Sequence, residues 1–420
     1  MSSFGRALAS VGRLAWLVLA ASALDAGELR LEGVAAGRGV YVESRQAWID
    51  GGFGRLTEGR SADAFESLAR AEAQLGIEWT PSEVWLLRLH GTARTEPDAA
   101  GGARAGLTEA TLQFRPQLRP GLALRFRGGL LFLPTSRENV DPLWQSPYTL
   151  TLSALNAWIG EEMRPIGLDV ALLAGEAGGS RVELAGMAFG ASDTAGTLLA
   201  WRGWAMGTRL SVVGETLPLP PLPTLAPGAA FGEQQAEGMQ PIEELDDRVG
   251  WHVRGRWSRA GVGLVQAAWT DTRGDRALHH GQYAWATRFA SFGAEAQLGR
   301  IRLVTEGLWG ETGMGLRSGP HVDLGIRTGY ALLTWSSAGD TLRLTARYDA
   351  FENDDKDGVA EPNAESGWAM TLAALYAPRP WVRIGLEYLD LRGDRPAAAF
   401  AGTPAGTAAR RAQAELRLRF

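Results

Sequence analysis

The chain has 420 residues, 54 of them glycine and none cysteine, with 45 % hydrophobic and 21 % charged residues. The lack of cysteine excludes a disulfide framework, a thiolate metal site and a cysteine nucleophile, and no apolar run after residue 26 reaches the roughly 18 residues a spanning helix needs. Forty-seven acids against 42 bases give a net charge of −5, which argues against nucleic acid as a partner because nucleic-acid binders are basic.

Lys356 is the single lysine, so the positive charges are arginines, planar and always ionised forks that pair with carboxylates and anions. A bias in codon usage would produce the same arginine-only set.

Residues 1–26 begin with Arg6 and Arg13, continue through the apolar stretch 14–23 and close on small residues, with 21–23 or 24–26 as the cleavage site. A basic start, a short apolar core and a small-residue site predict a secretory signal peptide and an exported mature chain over 27–420.

From there the sequence alternates with period two, the pattern of strands whose faces differ. Ala73, Leu75, Ile77 and Trp79 oppose Glu72, Gln74 and Glu78, and Leu122, Leu124, Phe126, Leu130 and Phe132 oppose Arg125 and Arg127. Leu342, Leu344, Ala346 and Tyr348 oppose Arg343, Thr345, Arg347 and Asp349; Val382, Ile384, Leu386 and Tyr388 oppose Arg383 and Glu387. The final segment sets Ala414, Leu416, Leu418 and Phe420 against Gln413, Glu415, Arg417 and Arg419.

An exported chain that repeats an apolar face and a charged face for nearly its whole length predicts a transmembrane antiparallel β-barrel, closed because lipid cannot satisfy an open sheet edge. Short connections at 80–83, 116–120, 258–261, 336–340 and 377–380 alternate with long ones near 95–106, 133–150, 214–247, 272–282, 311–322, 350–366 and 392–410. That asymmetry predicts brief periplasmic turns and long external loops. The count is about 18 strands, with 16 the alternative because 34–68 and 181–213 read ambiguously. Trp79, Trp85, Trp251, Trp257, Trp335 and Trp381 are placed beside short turns, where aromatic girdles form.

The strands at 342–351, 365–376 and 382–389 resemble those of Gram-negative outer-membrane porins, nearest to the phosphate-selective porin O/P-like family, over residues 323–420. The resemblance implies an open channel for anions. Phosphate selectivity in that family leans on lysines, so the likeness extends to a porin-type channel and stops short of phosphate.

In such a channel the alternation points Arg88, Arg125, Arg127, Arg254, Arg256, Arg343, Arg347, Arg383, Glu387 and Arg417 into the lumen. Rings of arginine favour anions, although neighbouring arginines and carboxylates also form structural cross-strand pairs. Arg125/Arg127, Arg254/Arg256 and Arg343/Arg347 are the preferred candidates for a selective path. The proline-rich segment 214–247 has two readings: a loop folded into the channel with its acidic end near the arginines, or an external loop.

No cofactor and no catalytic residue is expected. Asn353–Gly358 echoes a calcium loop but has Ala364 where the bidentate glutamate belongs. The histidines lack metal-ligand spacing, and no serine–histidine–acid set falls together. The expectation is therefore a non-enzymatic outer-membrane channel for passive diffusion of small hydrophilic or anionic solutes. Its partners are outer-membrane lipid and small solutes or ions, and its assembly a homo-oligomer (trimer). The alternative is a barrel acting as export conduit or scaffold for a partner complex.

Overall fold

The computed structural model describes residues 27–95, 104–176, 178–232 and 238–420; the expected signal peptide lies outside them. Sixteen antiparallel strands form one closed barrel. In chain order they are β1 Glu28–Ser44, β2 Ser61–Ser82, β3 Trp85–Arg94, β4 Ala105–Phe114, β5 Leu122–Leu130, β6 Ile166–Gly175, β7 Ser180–Gly190, β8 Gly250–Arg259, β9 Gly263–Asp271, β10 Ala286–Leu298, β11 Ile301–Met314, β12 Val322–Ser336, β13 Leu342–Asp355, β14 Glu365–Arg379, β15 Val382–Asp394 and β16 Gly406–Arg419. Each pairs with its neighbour, and β16 closes on β1 in register from Val34↔Arg419 to Glu43↔Arg410. One further three-residue strand, Gln117–Arg119, lies outside the ring against the start of β5.

The lower of the two expected strand counts is the one adopted. Of the two ambiguous segments, 34–68 holds the end of β1 and the start of β2, and 181–213 supplies β7 up to Gly190 and then turns into a loop with a short helix.

The two-faced alternation becomes two environments. Along β16, Ala412, Ala414, Leu416 and Leu418 are exposed while Arg411, Gln413, Glu415 and Arg417 are buried. The outward face carries a belt of exposed Leu, Val, Ile, Trp and Tyr side chains around the ring, the surface a bilayer core requires. Trp79, Trp85, Trp257, Trp335 and Trp381 stand near the short turns as expected. Trp251 does not: it is the second residue of β8 and lies at the long-loop end, at the same level as Trp269 near the end of β9. The short turns are tight. β10 and β11 are joined by Gly299-Arg300, where Gly299 supplies the positive φ (60°) that a two-residue hairpin demands.

Two loops turn inward. Residues 131–165 leave β5, cross the lumen and carry helix α1 (Ala154–Glu161), whose N-cap Ser153 accepts from Asn156 N at 3.2 Å. All eight residues of α1 are buried. Residues 191–249 carry helix α2 (Thr197–Trp201), also wholly buried. Glu162 ties the two together, accepting from Leu198 N at 2.9 Å in the first turn of α2.

Their apolar side chains fill the long-loop half of the barrel. Trp158 meets Trp204 (5.9 Å) and Phe289 (5.5 Å) edge-on, and Trp201 packs against Phe231 and Trp285. Leu308, Leu324, Ile326, Phe351, Leu389 and Leu391 of the inner wall close around them. Trp48, Trp158, Trp201, Trp204 and Trp285 are thus core residues inside the ring and belong to no girdle.

Candidate functional site: two arginine walls and an inserted loop

The register brings all ten predicted lumen residues to the inward face, and the inserted loop 131–165 divides them into two groups. Arg343, Arg347, Arg383, Glu387 and Arg417, on β13, β15 and β16, lie beneath the loop and hold it. Arg347 is fully buried; it pairs with Glu138 of the loop and with Asp349 at 2.8 Å, and donates to Thr151 O at 2.7 Å. Glu387 accepts from Leu150 N at 2.6 Å and Thr151 N at 3.2 Å and bonds the Thr151 hydroxyl. Arg343 donates to Pro147 O at 2.6 Å, Arg383 to Ser146 O at 3.2 Å, and Arg417 to Gln145 Oε1 at 2.5 Å. All five bond the loop, and the wall itself holds some of them too: Arg383 (3.2 Å) and Arg417 (2.8 Å) share Glu415 of β16.

Across the lumen Arg88, Arg125, Arg127, Arg254 and Arg256, on β3, β5 and β8, face a cavity of about 470 Å³ in the short-turn half. Its other side is the first part of the loop, including Phe132, Pro134, Ser136, Asn139 and Trp144. Arg88 is paired with Glu78, Nε to Oε1 at 2.7 Å. The other four share two carboxylates. Arg254 takes the best geometry, reaching Asp169 at 2.5 and 3.1 Å and Glu183 at 2.7 and 3.1 Å. Arg125 donates to Glu183 at 2.8 Å and to Asp169 at 3.5 Å, while Arg256 comes no nearer to Glu183 than 3.6 Å and bonds Gln266 Oε1 at 3.2 Å. Arg127 lies 3.8 Å from Asp169 and makes no hydrogen bond among the described residues. The Nε atoms of Arg125 and Arg127 are buried without a protein partner.

Four guanidiniums around two carboxylates leave donors to spare on this wall, in a polar cavity whose lining also carries Glu32, Glu78, Glu109 and Asp141 against Arg30, Arg88 and Arg137. Planar N–H forks of this kind match carboxylate and phosphate oxygens.

Asp169 and Glu183, the hub of this wall, were absent from the sequence-derived set. The signal was available in part: Asp169 falls opposite Leu168, Val170 and Leu172 in β6 and so on the inward face. Glu138 could not have been found that way, because it sits in an irregular loop and meets Arg347 across 209 positions.

The segment 214–247 packs at the long-loop mouth, where Leu217, Leu222, Phe231 and Met239 are buried. Its acidic end does not approach the arginines. Glu244 accepts from Ala191 N at 2.6 Å, and Asp193 from Leu245 N at 2.6 Å and Asp246 N at 3.2 Å, so the two ends of the 191–249 loop are clasped together. Burial, with Glu244 and Asp246 close by, lifts the Asp193 carboxyl to about 7. A second tie joins the loop to the wall: Glu365 of β14 pairs with Arg55 and with Arg395 (2.9 Å) and accepts from Trp204 N at 2.9 Å. The resemblance to a calcium loop ends in structure as well, since Asn353 bonds Leu199 O (3.0 Å) and Trp204 Nε1 (2.7 Å).

The chain matches no family model and no curated protein. Among solved structures it is similar to the outer membrane channel DcaP of Acinetobacter baumannii, at 11 % identity and a TM-score of 0.53, over 95 % of this chain and 99 % of that one. It is similar to an anion-selective porin from Comamonas acidovorans at 12 % identity and a TM-score of 0.52, over 94 % and 100 %. The outer membrane protein OmpT of Vibrio cholerae, in a trimer form, is similar at 13 % identity and a TM-score of 0.50, over 94 % and 100 %. At these identities the shared property is the barrel fold.

Proposed function

We propose that this barrel is an outer-membrane porin-like channel for passive diffusion of small hydrophilic solutes with a preference for anions, exported with loss of residues 1–26. The observation that carries the reading is the wall where Arg125, Arg127, Arg254 and Arg256 share Asp169 and Glu183 beside a polar cavity. A ring of arginines lowers the barrier for anions and raises it for cations. Arg88 and its partners extend that wall, whereas Arg343, Arg347, Arg383, Glu387 and Arg417 set the width of the path by holding the loop. The family resemblance we retain is to the phosphate-selective porin O/P-like group, for the porin-type channel and not for phosphate selectivity, since the chain has Lys356 as its single lysine.

The packed core of the 131–165 and 191–249 loops supports a second reading, the plugged conduit or scaffold, because an open pore would keep water where Trp158 and Trp201 lie. Conductance of the refolded mature chain in a planar bilayer under a salt gradient separates the two. Discrete open steps with an anion-side reversal potential support the channel; a folded but silent barrel supports the plug.

The assembly we propose is a homo-oligomer, a trimer. Ala35, Gly37 and Gly39 of β1 stand outward beside Ala69, Ala71 and Ala73 of β2, a smooth wall in an otherwise bulky belt on which another barrel can pack closely. Mass of the purified protein by light scattering tests it, with Gly37→Trp expected to shift the population to monomer.

A further inference from the structure

A second cavity, of about 560 Å³, opens at the short-turn end of the wall formed by β7 to β13. Arg181, Arg259, Arg300, Arg302 and Arg343 line it, against only two carboxylates, Glu295 and Asp340. Glu295 is already engaged by Arg137 of the inserted loop at 3.3 Å.

Two of the arginines are fixed. Arg302 donates to the Tyr148 hydroxyl at 3.1 Å and to Gln297 Oε1 at 2.8 Å, and Arg343 reaches Pro147 O at 2.6 Å with its guanidinium over the Tyr148 ring at 5.6 Å. Tyr148, held by the loop, therefore sets the spacing of these two forks. The other three, Arg181, Arg259 and Arg300, have no hydrogen bond or ion pair from their guanidiniums among the described residues.

We infer that this cavity is a binding site for a multivalent oxyanion, a small solute carrying two or more phosphate or carboxylate groups, at the periplasmic mouth of the barrel. The chemistry follows from the donor set. Each guanidinium offers a planar pair of N–H groups to one oxyanion group, and two fixed forks with three uncommitted ones can engage several such groups at once. A monovalent ion uses a single fork and gains nothing from the rest. The cavity falls in the size range of small-molecule sites and admits the anion with part of its water. Arg259 shares the outward parity of Trp257 on β8 and Arg300 is in the β10–β11 turn, but Arg181, Arg302 and Arg343 lie on inward positions of their strands, and these three favour a dissolved anion over a lipid headgroup. The site does not depend on conduction: it stands whether the barrel is an open channel or a plugged conduit.

The test is titration calorimetry of the refolded barrel in an uncharged detergent with inorganic tripolyphosphate as the probe. The expected result is saturable binding that chloride and acetate do not displace, weakened at least tenfold in Arg181→Gln/Arg300→Gln. Those two side chains have no partner to lose, so the fold is retained. Arg288→Gln, an exposed arginine at the long-loop end outside both cavities, should leave binding within about twofold. No saturable binding, or binding lost in the second variant and kept in the first, overturns the site. Binding that appears only when an anionic phospholipid is added, or only with an acidic peptide in place of tripolyphosphate, overturns the dissolved-anion assignment. Conductance on the same preparations is read separately, so a silent barrel that binds tripolyphosphate removes the channel reading alone.

Discussion

Two walls of one barrel carry the same sequence pattern and reach opposite ends. On β13, β15 and β16 arginines and a glutamate alternate with lipid-facing apolar residues, and Arg343, Arg347, Arg383, Glu387 and Arg417 each bond the 131–165 loop. On β5 and β8 the same alternation leaves four guanidiniums sharing two carboxylates at a cavity. Alternation decides which way a side chain points; what stands opposite decides whether its charge is available. A polar group bonded to loop backbone is structural, while one facing water remains able to act on a passing ion.

The largest effect is expected where the charge is deepest. Glu138→Ala leaves Arg347, which is fully buried, with Asp349 as its one remaining close carboxylate. Breaking a buried pair costs roughly 3–5 kcal/mol, and hydrogen exchange of Leu150 and Thr151 amides should rise accordingly. Unchanged protection there would mean that the loop is held by other means.

Trp158→Ala belongs to the same range, since truncating a buried tryptophan costs roughly 3–5 kcal/mol. It should loosen the long-loop half first, because Trp158 touches both Trp204 and Phe289. Faster cleavage within 191–249 by an added protease, with the barrel still resistant, is the predicted readout.

Charge reversal on the open wall is a smaller change with a different signature. Arg125→Glu/Arg127→Glu should shift the chloride-to-potassium permeability ratio toward the cation about tenfold, equivalent to about 1.4 kcal/mol, with loop protection intact.

The smallest effect concerns the clasp of the 191–249 loop. Asp193 sits at about 7 in the fold against an ordinary 3.8, so the folded form holds its proton more tightly. Stability from this group is complete below about pH 4 and is lost as pH rises toward 7. Exchange of the Leu245 and Asp246 amides, corrected for the intrinsic rate, should therefore increase over that window. Asp193→Asn should flatten the dependence.

The barrel was legible because its rule is local. Period-two alternation located the short-turn halves of β13, β15 and β16 and stopped five to seven residues short of their long-loop ends, and the short turns after β2, β8, β12 and β14 followed from Pro, Gly and Asp clusters. The interior was not legible, for an equally physical reason. Helix α1 is buried on every side, so it carries no polar stripe to announce it, and the contacts that hold the loops join residues about 150 to 240 positions apart. Trp251 shows the limit in small: a tryptophan at a strand end reads alike at either interface, and only the pairing of β8 with β9 says which.

The difference between the two walls is tested most directly by one measurement. Reversal potential and loop hydrogen exchange are recorded together for the refolded chain, for Arg125→Glu/Arg127→Glu and for Arg383→Gln/Arg417→Gln. The prediction is that the first variant moves the reversal potential toward the cation side and leaves the exchange of residues 145–151 unchanged, while the second raises that exchange. A first variant with unaltered selectivity, or one that releases the loop, would contradict the assignment of an ion-facing wall and a loop-holding wall.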